Sequence, residues 1–95
     1  MTSKQRKTIR TRREQLLTLL NGWDPAGLLN AGAPRDEYDC VVDQLLSLLS
    51  RQTGEEEVAQ FIESEIRDHF GRTPQGAAQF ATKAVAWFRM LSAEE

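Results

Sequence analysis

Residues 35–52, RDEYDCVVDQLLSLLSRQ, decide the fold. Tyr38, Val41, Val42, Leu45, Leu48 and Leu49 recur at three- and four-residue spacing, which lines them along one face of an α-helix. On the opposite side, at 100° per residue, Asp36, Asp39 and Asp43 fall within about 60° of one another. Ser47 and Ser50 continue that polar side. A helix divided in this way must bury its stripe against other elements, and the remaining sequence supplies only helices to do so.

Working outward toward the N-terminus, a first helix is predicted from about Ser3 to Asn21, with Ile9, Leu16, Leu17, Leu19 and Leu20 apolar and Gly22 suited to a left-handed stop. Its first turns are too polar to pack and are expected to project or fray. Trp23-Asp24-Pro25-Ala26-Gly27-Leu28-Leu29 reads as one short helical turn, with Asp24 as cap and Pro25 at the first helical position. Residues 30–34 read as loop.

Toward the C-terminus, Thr53-Gly54-Glu55-Glu56 has the form of a capping box. In that motif the Thr53 side chain bonds the N–H three residues on and Glu56 reaches back. Glu55, Glu56 and Glu57 suit the positive end of the helix dipole. The helix so opened runs to about Phe70, ends at Gly71, and is expected to bury Val58, Phe61, Ile62, Ile66 and Phe70. Thr73-Pro74 is expected to open the last helix, lined by Ala77, Phe80, Ala81, Ala84, Val85, Phe88 and Leu91, small residues alternating with large ones to permit close packing. No segment reads as a strand. The expectation is a single all-α domain over residues 1–95, a compact bundle of four main helices plus one short helical turn.

The composition fits one soluble core: 95 residues, 40% hydrophobic and 27% charged. The net charge of −2 conceals a division. Lys4, Arg6, Lys7, Arg10, Arg12 and Arg13 give residues 1–13 six positive charges and no negative one, leaving six basic against fourteen acidic residues in the remainder, a net of −8. One cysteine, Cys40, closes no intramolecular disulfide, and one histidine supplies no Cys/His metal set. No apolar run approaches the ~18–20 residues of a membrane span. Leu16–Leu20 is shorter than the ~7–15-residue apolar region of a secretory signal. A cytoplasmic protein without membrane contact is the expectation.

Asp36, Asp39 and Asp43 have three readings. A solvated face near the positive end of a helix is the plainest. A docking face for an Arg/Lys-rich partner is the functional one. A hard-cation site is the third, but the Gly turn and closing Glu of a calcium loop are missing. The basic leader is, in the same way, either a solvated or partner-binding helix end or a phosphate clamp for nucleic acid. No aromatic is interleaved with its charges and no reader motif accompanies it. It can also lie on an acidic face of its own chain or of a second copy. Catalysis has little to stand on. His69 falls in the last turn of its helix, where capping or packing accounts for it. Cys40 has no predictable base beside it, and Gly22, Gly27 and Gly32 are spaced singly rather than as a phosphate loop. Neither a cofactor nor a metal is implied. Trp23 and Trp87 read as core or core-edge residues. Trp87, off the main stripe of its helix, suits an interface anchor, and Trp23 is placed to lock the first loop by packing on the second helix.

Trp23-Asp24-Pro25-Ala26-Gly27-Leu28-Leu29, followed by Ala33-Pro34-Arg35-Asp36-Glu37-Tyr38-Asp39, resembles the WDP-x-G-L … P-x-DEYD signature of the YugE-like small bacterial proteins. The resemblance extends from about Glu14 to Leu91. It implies an all-helical cytoplasmic bacterial protein without an assigned enzymatic activity, similar to accessory, immunity-like or defence-associated proteins. The signature residues also have a structural account, because a turn at Asp24-Pro25 and a helix start at Pro34 would fix the corner between the first two helices. The residues alone therefore predict a protein-binding module that is not an enzyme, immunity- or antitoxin-like, meeting the basic surface of another protein or pairing with itself. Its expected contact residues are Trp23, Asp24, Asp36, Glu37, Asp39, Asp43 and Trp87. The alternative is nucleic-acid binding through the basic leader.

Overall fold

The computed structural model describes residues 3–24, 27, 31–32 and 38–94. Four helices make up the fold: α1 (Ser3–Trp23), α2 (Asp39–Ser50), α3 (Glu55–Phe70) and α4 (Ala77–Glu94). Together they form an all-α four-helix bundle, with no strand among the described residues. The stripe read from residues 38–49 enters the core, with Tyr38, Val41, Val42, Leu45 and Leu49 buried and Leu48 partly covered. Leu16 and Leu20 of α1, Val58, Ile62 and Ile66 of α3, and Phe80, Ala81, Ala84 and Val85 of α4 meet them. Phe61 and Phe70, expected inside, are half-buried at the edge of that core. α3 packs most extensively on α4, and α1 on α2, while α4 meets α1 and α2 only sparsely. That uneven packing leaves an opening between the first and last helices. No helix among the described residues is long and apolar enough to cross a membrane.

The helix ends depart from the sequence expectations in instructive ways. α1 continues through Gly22, and the left-handed residue is Asp24, at φ 52, whose N–H donates to the Leu20 carbonyl at 2.8 Å. Asp is among the few non-glycine types that tolerate this region, and its side chain is engaged elsewhere, as described below. Of the expected short helical turn, the described part is a bond from the Gly27 N–H to the Asp24 carbonyl, 2.9 Å, and one from Ala31 to Gly27, 3.2 Å. The leader is helical from Ser3 rather than frayed, and its described side chains from Lys7 to Thr11 are exposed.

Between α2 and α3 the capping box does not form. Gly54 is the N-cap of α3 and makes no side-chain cap, whereas the Thr53 hydroxyl donates back to the Leu48 carbonyl at 2.8 Å. The short connection holds one hydroxyl for two helix ends, and the C-terminus of α2 takes it. Gln52, left-handed at φ 58, donates its N–H to Leu49 and completes that end. α3 stops where predicted, with Gly71 left-handed at φ 66. α4 opens at Ala77, later than Thr73-Pro74 suggested, and its first backbone bond runs from the Phe80 N–H to the Gly76 carbonyl. Pro74 is buried and Gln75 accepts a bond from another helix, so residues 71–76 serve as a strap across the bundle.

Candidate functional site

Trp23 closes α1 and lies on α4. Its ring stacks on Phe80 with centroids 4.7 Å apart and planes 17° apart, and its indole N–H donates to the Gln75 carbonyl at 2.8 Å. This corrects the expectation that Trp23 packs on the second helix: one turn of α1 beyond Leu20, its ring reaches the N-terminal end of α4. Asp24, next in sequence, accepts the Tyr38 hydroxyl at 2.6 Å. Tyr38 is fully buried, and its ring meets Phe70 edge-on at 5.5 Å. The Tyr38–Asp24 hydrogen bond therefore ties the two signature blocks, with a buried ring at the corner they form.

The acidic face of α2 already has a cation on it. Arg13 Nε lies 2.6 Å from Asp43 Oδ1, and its terminal nitrogen lies 3.4 Å from Asp43 Oδ2 and 3.6 Å from Asp39 Oδ2. The hydrogen bond to Asp43 raises the Arg13 guanidinium above its ordinary value; burial opposes it, and the charges of Asp43 and then of Asp39 add to it. Basic leader and acidic body thus meet within one chain. Asp36 and Glu37, expected beside them, lie outside the described residues. Among the described residues no three His, Cys, Asp or Glu side chains converge as a metal site would require.

Of the remaining basic residues, Arg12 places its guanidinium carbon 5.7 Å from the centroid of Phe88, a cation–π distance. Lys7 and Arg10 are exposed, and no carboxylate pairs with them among the described residues. The side chains of Lys4 and Arg6 lie outside the described ones. His69 sets Nε2 2.9 Å from Glu65 Oε2, one turn back on α3. Cys40 is exposed.

The opening between α1 and α4 is a groove of about 550 Å³. Leu19, Trp23 and Phe80 supply its apolar lining, and Thr18, Gln75, Gln79 and Lys83 its polar one. The volume falls within the range of ligand-binding clefts, and the lining, mostly apolar with a few polar groups, has their usual character. Gly22 and Gly76 also line it. A Cβ at Gly22 would meet nothing within 4 Å, so glycine there leaves the groove open on the α1 side. A second cavity of about 260 Å³ lies between α2 and α4, bounded by Leu49, Gln52, Thr53, Val85, Phe88 and Arg89. Trp87 is half-buried beside Phe88, ring centroids 6.2 Å apart, at the core edge where its register places it.

Of the predicted contact residues, the structure brings Asp39 and Asp43 together under Arg13 and joins Trp23 and Asp24 to the corner. It leaves Trp87 apart from both, on α4. The sequence reading missed Leu19, Gln79, Phe80 and Lys83 as a group. They come from helices at opposite ends of the chain, and periodicity assigns each helix an inward face without saying which neighbour leaves that face uncovered. Compared with family models, with curated proteins and with solved structures, the chain matches none of them.

Proposed function

We propose that the chain is a small protein-binding module, without chemistry of its own, whose contact surface is the groove between α1 and α4. The observation that carries this reading is the Trp23–Phe80 stack lining an open, largely apolar cleft with polar groups around it. Tryptophan in a partly covered apolar pocket is the residue type most often found to dominate binding energy. An immunity- or antitoxin-like role, and kinship with the YugE-like proteins through the WDP and DEYD blocks, belong to the same proposal. The acidic face of α2 is the weaker surface for a basic partner, since that partner has to displace Arg13 from Asp39 and Asp43.

The test uses Gly22→Phe, which fills the groove from a helical position with open space around it. Wild type should retain a partner from lysate that Gly22→Phe loses, while both melt alike. Equal retention by the two would remove the groove from consideration. A second reading, nucleic-acid binding by the leader, is favoured by exposed Lys7 and Arg10, while Arg12 and Arg13 are engaged within the fold. With Arg12 and Arg13 held, the other four cations of the leader confer a salt slope of about 3.6 units at most, where six would confer about 5.4. A mobility shift at low ionic strength that Lys7→Glu/Arg10→Glu abolishes would favour it over the groove.

A further inference from the structure

The smaller cavity, about 260 Å³ between the end of α2 and α4, has an apolar floor and a polar mouth. Leu49 and Val85 at its floor are buried, Thr53 and Phe88 are half-buried, and Gln52 and Arg89 are exposed. Phe88 is held in place as a wall. The Arg12 guanidinium carbon lies 5.7 Å from its ring centroid, and Trp87 meets it edge-on.

Two of the residues at the mouth have no task in the fold. Arg89 is the charged residue among those that bound the cavity, and no carboxylate pairs with it among the described residues. The positions three and four away on α4 hold Val85, Ala86, Ser92 and Ala93, none of them an acid. Nor does Arg89 close α2. The Leu48 carbonyl there accepts from the Arg51 N–H and the Thr53 hydroxyl, and the Leu49 carbonyl from the Gln52 N–H. Gln52 itself holds φ 58, a position ending a helix where glycine is favoured. Glutamine there costs stability, yet its side-chain amide makes no hydrogen bond among the described residues.

Free donors, one set cationic, thus stand at the mouth of an apolar cavity. A guanidinium presents parallel N–H groups that match the two oxygens of a carboxylate, and an amide adds a further donor. The volume is below the ~300–1,000 Å³ of clefts for drug-sized molecules. At the ~30 Å³ that a water occupies in the liquid, it admits about nine non-hydrogen atoms. We infer that this cavity binds a small monocarboxylic acid with an apolar tail of about six carbons, a size set by that volume. The carboxylate meets Arg89 and Gln52, and the tail lies among Leu49, Val85 and Phe88. The site is separate from the groove between α1 and α4 and does not depend on what that groove binds.

Titration of the full chain with hexanoate at neutral pH, followed by methyl correlation spectra and calorimetry, tests this. The Leu49 and Val85 methyls should shift along one isotherm, with a millimolar or tighter dissociation constant. Hexanol and hexylamine keep the tail without the anion, and acetate keeps the anion without the tail; each should bind at least about tenfold more weakly. Arg89→Gln, at an exposed position that the fold tolerates, should lose at least about tenfold in affinity for hexanoate. Gln52→Gly should bind hexanoate more weakly yet melt higher, a split that a purely structural role for Gln52 would not produce. Methyls that do not move, hexanol bound as tightly as hexanoate, or an Arg89→Gln protein of unchanged affinity overturns the inference. So does a Gln52→Gly protein that melts lower than wild type or binds hexanoate equally well.

Discussion

Replacing Tyr38 by Phe should loosen the corner between α1 and α2, and the cost can be worked from the contact itself. The hydroxyl donates to the Asp24 carboxylate at 2.6 Å from a fully buried ring. A hydrogen bond to a charged group contributes about 1.5–3 kcal/mol. Asp24 is only half-buried, so water can take the vacated site on its carboxylate, and the loss should fall near about 1.5–2 kcal/mol. Asp24 also holds φ 52, a backbone position where glycine is favoured by about 1 kcal/mol. Asp24→Gly therefore loses the bond but relieves the backbone, for a net cost of about 0.5–1 kcal/mol. Asp24→Ala loses the bond and keeps the strain, for about 2–3 kcal/mol.

Urea unfolding followed by far-ultraviolet circular dichroism measures each variant, and a Tyr38→Phe/Asp24→Gly double mutant closes the cycle. For a chain of this size each 1 kcal/mol moves the melting temperature by roughly 4–8 °C, so the series separates readily. A Tyr38→Phe cost below about 0.5 kcal/mol, with Asp24→Gly outright stabilising, would refute the reasoning. In that case backbone strain alone would govern position 24.

Three further outcomes are expected. Arg13→Gln should cost at most about 1 kcal/mol, as for a largely exposed ion pair, and the difference from wild type should fade as salt is added. Because the folded-state value of Arg13 is raised, its contribution is complete below the ordinary arginine range and is lost only above it. Titrating the cation therefore gives no pH dependence near neutrality, which a melt series from about pH 6 to pH 9 would check, since arginine stays charged throughout that range. Gly22→Ala should stabilise by about 0.5–1 kcal/mol, since the position is helical and open, whereas Gly71→Ala should destabilise by a similar amount because φ is 66. Thr53→Val should cost about 1 kcal/mol through the C-terminal end of α2 rather than the start of α3, so exchange protection should fall at the last turn of α2 first.

The four helices were legible because each has a stripe of the right period, and residues 38–49 illustrate it: every position read as inward is buried or partly covered. Boundaries were less legible because one residue can serve two helix ends. Thr53 has the correct spacing for a capping box, yet its hydroxyl closes the helix behind it. Gly22 has the type of a helix stop, yet Asp24 takes the left-handed position because Tyr38 holds its carboxylate. Charge segregation was visible in composition, and the leader lying on the acidic face of its own chain was one of the readings it allowed. What composition did not identify is the pairing of Arg13 with Asp39 and Asp43 across thirty residues. The groove was the least legible feature, since it arises from helices that pack only sparsely on one another and lie at opposite ends of the chain.

The account turns on the groove between α1 and α4 as the surface that meets another molecule. Its two tryptophans allow a direct reading, because their indole N–H signals stand apart in an amide correlation spectrum of labelled protein. Recorded as the protein captured from lysate is added, the indole signal of Trp23 should shift, with Asp39 and Asp43 unmoved, and Gly22→Phe should abolish the shift. A Trp23 signal that does not move on addition, or shifts confined to the acidic face of α2, would contradict it.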